Sequence, residues 1–318
     1  MRNTISPSKS VCIPKKIDNG HSLHLWKLTS TIMALQSSIK STFAFLFILA
    51  VSTVFIGCQK SERDEDQETL ASRDNALAYH IFDDAFRVVH RIAMRDSLLN
   101  DTGIVQWYDD CIKSVSLSDT VAIFPLYLTV NYSDDTVQCD DGFDRYGLIR
   151  ASFSGKYLNN GSEVAINFEG YRKDLFDVEG TMLVKNEGLN ADGRRVYSIK
   201  VTDGKITGNN VNIDWEGNHD MIWVAGSSTD GIIDDDIFEI SGIASGRNSR
   251  GNTFVNEITE AYSSDLSCQW FKSGKSTLEV PNLQLRFVDY GGDGTACNNV
   301  FIQQRDNTSQ EVVIPYTR

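Results

Sequence analysis

The chain has 318 residues, 41% hydrophobic and 23% charged, with a formal net charge of −13. Six of its 30 Lys and Arg but only one of its 43 Asp and Glu fall in residues 1–57, so residues 58–318 carry −18. A surface of that sign repels phosphate backbones and anionic head groups, which argues against nucleic acid as a partner and leaves membrane attachment to a covalent lipid.

The stretch Phe43 to Cys58 reads FAFLFILAVSTVFIGC and is followed at once by the polar run QKSERDEDQ. Its apolar part is shorter than the roughly 20 residues a spanning helix needs, and Lys40 stands just before it, so it reads as a signal h-region and not as an uncleaved anchor. We expect residues 1–57 to be a signal region, with translation starting at Met33, and Cys58 to be the lipidated first residue of the mature protein. Two or three acyl chains, palmitate among them, would anchor it to a membrane where a single chain would bind only marginally. Residues 58–68 are then an acidic linker.

Residues 69–103 predict one amphipathic helix. Leu77, Ile81, Ala85, Val88 and Ile92 recur at helical spacing with Phe82, Phe86, Val89 and Ala93 beside them, and Asn100 and Asp101 supply stop chemistry. The helix is expected either to plug one face of a sheet or to stand as a stalk above the anchor. His80 and His90 lie on it and read as surface or half-buried side chains.

From 104 to 318 the period changes to two. Leu126, Leu128, Val130 and Tyr132 alternate with polar neighbours, as do Val164, Ile166 and Phe168; Tyr197, Ile199 and Val201; Val211, Ile213 and Trp215; and Leu283, Leu285 and Phe287. Asn160-Gly161, Asp192-Gly193, Asp203-Gly204, Asp230-Gly231 and Gly291-Gly292 read as turns. The expectation is a mainly β domain, an antiparallel meander forming a sandwich or a strongly curved sheet.

Four cysteines follow Cys58, and none has the CxxC spacing of a zinc or redox site. Cys111 and Cys139 are spaced like Cys268 and Cys297, and LTVNYSDDTVQCDD (128–141) aligns with RFVDYGGDGTACNN (286–299). This weak repeat predicts two local disulfides, Cys111 with Cys139 and Cys268 with Cys297. The acidic loops make Asp135, Asp140, Asp289 and Asp293 calcium candidates, although neither follows EF-hand order and acidic turns are mostly only turns.

Nucleophile-elbow, phosphate-loop, HExxH and GxGxxG motifs are absent. His219, in a presumed EGNHD turn, reads as solvated. Trp215, Trp223 and Trp270 could stack sugar rings if exposed together, although alternation puts Trp215 on the apolar face with Val211 and Ile213, which favours core packing. The triplets DSL (96–98), DTV (119–121) and DTV (135–137) resemble a bacterial O-glycosylation signal.

NIDWEGNHDMIWVAGSSTD, DDDIFEISGIASGRNSRGNTF, SCQWFKSG and VDYGGDGTACNN, with TMLVKNEG upstream, resemble the running text of a family of Bacteroidota lipoproteins without assigned activity. The acidic cluster behind Cys58 likewise resembles the export tag that sends such lipoproteins to the outer face of the outer membrane. The resemblance implies an address and a β-rich fold, with the periplasmic leaflet as the second location, and brings no catalytic residues. The expected function is a non-enzymatic cell-surface domain, without cofactor, for envelope structure or contact with a glycan or envelope protein. A glycan-binding module and a hydrolase are the alternatives.

Overall fold

A computed structural model describes residues 69–101, 111–132, 137–208, 210–229, 232–291 and 297–316, which fall in a unit running from Asp66 to Arg318. The signal region, Met33, Cys58 and the linker 58–68 lie outside the described residues, as does Trp107.

The apolar residues that predict the helix form one face of α1 (Leu70–Arg95), and all of them are buried. Its polar side is buried as well: Asp74, Asn75, His80, Asp83, Asp84, Arg87 and His90 are each at most 8% exposed. The helix is therefore neither a stalk nor half-exposed, and the histidines expected at the surface or half-buried are inside. It also stops eight residues before 103. Asp96 turns extended (φ −91°, ψ 125°), and its carboxylate accepts the N–H groups of Leu98 at 2.8 Å and Leu99 at 3.3 Å, a local alternative to helical bonding.

Among the described residues fifteen strands follow: β1 (Ile112–Leu117), β2 (Leu126–Tyr132), β3 (Val137–Gln138), β4 (Asp144–Phe153), β5 (Glu163–Lys173), β6 (Phe176–Leu189), β7 (Arg195–Gly208) and β8 (Val211–Ala225) form the first part. The second comprises β9 (Ile237–Arg247), β10 (Thr253–Glu260), β11 (Tyr262–Asp265), β12 (Lys275–Glu279), β13 (Arg286–Asp289), β14 (Val300–Arg305) and β15 (Thr308–Val313). They pair antiparallel in almost pure chain order, with β3 added beside β4 and β11 beside β9. This is the expected meander, realised as one curved sheet.

The partner layer is the helix. Phe82 packs on Phe168 of β5 and Trp215 of β8, and Phe86 on Tyr197 of β7 and Phe238 of β9. Asp84 meets Arg145 of β4, Arg87 meets Ser264 of β11, and Ser72 bonds Gln303 of β14. Strands from both halves of the sheet thus touch one helix, which they can do only by wrapping around it. Curling in this way lets a large sheet bury its apolar face without a second sheet.

The wrap is not closed by a ladder: among the described residues β1 and β15 end the sheet without pairing to each other. Side chains bridge the gap. Gln269 Nε2 donates to the Asp141 carbonyl at 2.7 Å, and Phe143 packs against both Trp270 and Tyr316. The two expected disulfides are present, and each stays on its own side of this seam: Cys111–Cys139 ties the start of β1 to the β3–β4 turn, and Cys268–Cys297 ties the β11–β12 loop to the segment before β14.

Three local expectations change. The EGNHD segment is no turn, because β8 runs unbroken through it and His219 pairs with Ile199 and Gly242. Gly217 suggested a turn, but its role is close approach: a Cβ there would lie 2.6 Å from His219 Cε1 and 2.7 Å from Trp215 Cη2, so only glycine lets those two rings neighbour each other. Asp203-Gly204 is a bulge inside β7, with Asp203 at φ +52° and its N–H bonded to Glu216 Oε1 at 2.9 Å. Around β13 the faces are reversed. Leu285 and Phe287 are 43% and 48% exposed, while Arg286 and Val288 point inward.

Candidate functional site

The groups able to do chemistry are gathered in the interior, along α1. At its C-terminal end His90, fully buried, sits between Tyr157 Oη at 2.8 Å from Nδ1 and Asp236 Oδ2 at 3.1 Å from Nε2. A carboxylate can only accept, so Nε2 carries the proton and Tyr157 donates to Nδ1. Burial pushes the His90 pKa below its usual value although Asp236 opposes this. Trp223 Nε1 donates to the other oxygen of Asp236 at 3.0 Å. This Tyr–His–Asp chain has the order of a proton relay, yet its imidazole is sealed among Phe86, Trp223 and Phe238. It ties the β4–β5 and β8–β9 loops to the end of the helix.

Midway along α1, Asp84 receives Arg145 at 2.6 Å and Lys173 at 2.9 Å, and Arg145 also grips both oxygens of Asp141. Burial alone would raise the Asp84 pKa, but the two cations hold it well below the carboxylate range. Burial lowers the lysine value of Lys173, with Asp84 opposing, and its ammonium lies 4.1 Å from the Phe143 ring centroid. Beside this cluster His80 stacks on Trp270 at 4.1 Å, and burial holds it well below the usual histidine pKa. Asp83, Arg87 and Ser264 form a third group: Arg87 Nε donates to Asp83 at 2.7 Å and Nη2 to Ser264 Oγ at 2.7 Å.

His219, expected at the surface, is 6% exposed, and its Nε2 lies 2.8 Å from Tyr79 Oη. Burial pushes its pKa down to about 4, so the ring is neutral at pH 7. The tryptophans are also interior. Trp215, Trp223 and Trp270 are 2%, 3% and 8% exposed, so they form no exposed platform for sugar stacking, and the core-packing reading holds for all three. Trp215 stacks on Phe82 and donates to Asn75 Oδ1 at 3.0 Å.

Of the calcium candidates, Asp140 is exposed and Asp289 accepts the N–H of Gly291 within its own turn, while Asp135 and Asp293 lie outside the described residues. No group of three or more His, Cys, Asp or Glu side chains among the described residues is arranged to hold a metal ion. Ser97 and Thr120 of the first two glycosylation-like triplets are exposed, each after an aspartate that bonds the following backbone; the third triplet falls mostly outside the described residues.

One cavity opens on the outside. An open groove of about 650 Å³ crosses the outer face of β6 to β10, where register aligns Glu179, Lys205, Asp214 and Arg247 as alternating charges, with Glu216 in the neighbouring row. Two interior cavities are far smaller, about 20 Å³ beside Tyr79 and His219 and about 10 Å³ beside His80, each of the order of one water molecule.

Sequence reasoning missed Arg145 and Lys173. Arg145 shares parity with Ile149, Ala151 and Phe153, so alternation could have placed it inside. Lys173 could not be found that way, because the irregularity between Asn167 and Arg172 resets the parity of β5. Comparison with known proteins finds no matching family model, no matching curated protein and no matching solved structure.

Proposed function

We propose that this chain is a lipid-anchored, non-catalytic β domain held on the outer membrane, with its fold displayed at the cell surface, where it acts by contact with a ligand or an envelope protein. The observation that carries the non-catalytic reading is the placement of its acid–base groups. His80, His90, His219, Asp84 and Asp236 are all sealed between helix and sheet, paired or neutral, whereas the open groove of about 650 Å³ on the outside is lined by carboxylates and cations and contains no histidine. Such groups hold a fold together; general acid–base catalysis needs them within reach of a substrate.

The address rests on the lipobox-like FAFLFILAVSTVFIGC, the acidic run behind it and the likeness to surface lipoproteins. No helix of the described residues is long and apolar enough to cross a membrane. Palmitate labelling of the expressed protein, abolished by Cys58→Ala, together with shaving of intact cells by protease, tests the address. Labelled protein that resists shaving in intact cells but not in lysed ones would move it to the periplasmic leaflet, and unlabelled protein would remove the anchor.

The glycan-binding alternative loses its aromatic platform with the burial of Trp215, Trp223 and Trp270, and would need the polar outer groove instead. Binding on a glycan array that disappears with Glu216→Ala, while circular dichroism is unchanged, would replace the protein-contact reading.

A further inference from the structure

The gap in the sheet is covered by the loop between β11 and β12, and the fastening of that loop differs from that of every long strand pair. β6 and β7, or β7 and β8, are joined by long backbone ladders broken only at bulges. Beyond two backbone bonds, from the Leu266 N–H to the Asp236 carbonyl and from the Cys268 N–H to that of Asp265, residues 266–271 are held by side chains. Arg87 donates to the carbonyls of Asp265 and Cys268, Arg91 to that of Leu266, and the Gln269 carbonyl lies 3.1 Å from His80 Nδ1. Trp270 stacks on His80, and across the gap Gln269 donates to the Asp141 carbonyl while Trp270 packs on Phe143 and Tyr316.

Directly beneath lies the small cavity lined by His80, Asp83, Gln269, Trp270, Phe271 and Asn298. His80 Nε2, buried with its residue 7% exposed, has no hydrogen-bond partner, and the charges of Asp84, Arg145 and Lys173 follow behind Phe143.

We propose that residues 266–271 form a strap that lifts as a local unit while the sheet stays intact, admitting water and small solutes to His80, Asp84 and Lys173. Segments fastened by few backbone bonds open at a lower free-energy cost than laddered strands. Wetting the polar cluster also returns solvation to charges whose burial is costly, which offsets part of the cost of exposing Trp270 and Phe271. Cys268–Cys297 keeps the lifted strap on its own lip, and Cys111–Cys139 does the same for the other, so neither bridge blocks the movement.

The three buried histidines report on this opening. His80 and His219 are shielded alike, 7% and 6% exposed, and His90 is at 0%, but only His80 lies under the strap. The experiment is native-state modification of the full-length protein with diethyl pyrocarbonate, read site by site by peptide mass spectrometry. Gln269→Ala removes the bond to the opposite lip and is expected to speed His80 modification about five- to tenfold, the worth of one hydrogen bond, with His90 and His219 unchanged. Tyr316→Ser, which removes a ring packed on both Trp270 of the strap and Phe143 of the opposite lip, is expected to act in the same direction and decides the matter if Gln269→Ala does not fold. Equal acceleration of all three histidines, or no acceleration at His80 in a folded variant, would overturn the proposal.

Discussion

The three buried histidines and Asp84 carry a definite pH signature. His219 titrates near 4 in the folded protein, against about 6.5 in an unfolded chain, and burial lowers His80 and His90 as well. The unfolded state therefore binds more protons between pH 6.5 and 4, and the stability contributed by these residues, complete above that range, drains away as pH falls through it. His219 alone accounts for about 3 kcal/mol on this basis. Urea unfolding from pH 7.5 to 4 should show the decline, and His219→Gln should flatten it. Asp84 acts at lower pH: its depressed folded pKa gives stability that is present above about 3.9 and lost below. Asp84→Asn leaves Arg145 and Lys173 as buried cations with only Asp141 to answer them, and a loss of about 3–5 kcal/mol in denaturant unfolding at pH 7 is expected.

Among the elements, α1 and β8 organise the rest. The inward residues of β8 run Val211, Ile213, Trp215, Gly217, His219, Met221 and Trp223, and nearly all of them face the helix or its neighbours. Trp215→Ala should cost about 3–5 kcal/mol, because the indole fills the space over Phe82 and leaves Asn75 without its donor; thermal unfolding measures it. The apolar period of α1 and most strands could be read from the sequence. The continuity of β8 could not, because Glu216-Gly217-Asn218 carries turn composition and its meaning depends on two rings meeting in space. The face of β13 was likewise unreadable: Leu285 and Phe287 look like core, and only the neighbouring strands show that Arg286 and Val288 occupy it.

At the scale of the molecule, one sheet curls round one helix and is fastened at its lips by two disulfides. Each bridge closes a loop of comparable length, with separations of 28 and 29 residues. Replacing either pair by serines is expected to lower stability by about 2–4 kcal/mol, chiefly by freeing the unfolded chain. Chemical denaturation of Cys111→Ser/Cys139→Ser and of Cys268→Ser/Cys297→Ser checks this, with similar losses expected from both. On the proposed lipid anchor, Cys58→Ala is expected to shift the protein out of the membrane fraction in cell fractionation.

Composition, period and spacing were enough for the β class, the meander, the helix before it and the pairing of four cysteines, because each depends on neighbours along the chain or on a pattern repeated within it. They also supplied the lipobox-like segment, on which the proposed address rests. Tertiary structure alone decided where the polar residues of the helix go. His80, Asp84, His90 and Arg87 look solvent-facing on a wheel, and they are buried because Arg145, Lys173, Asp236 and Ser264 arrive from distant strands and loops to meet them. Closing the curved sheet around the helix removes water from both sides of it at once, and no local period encodes that closure.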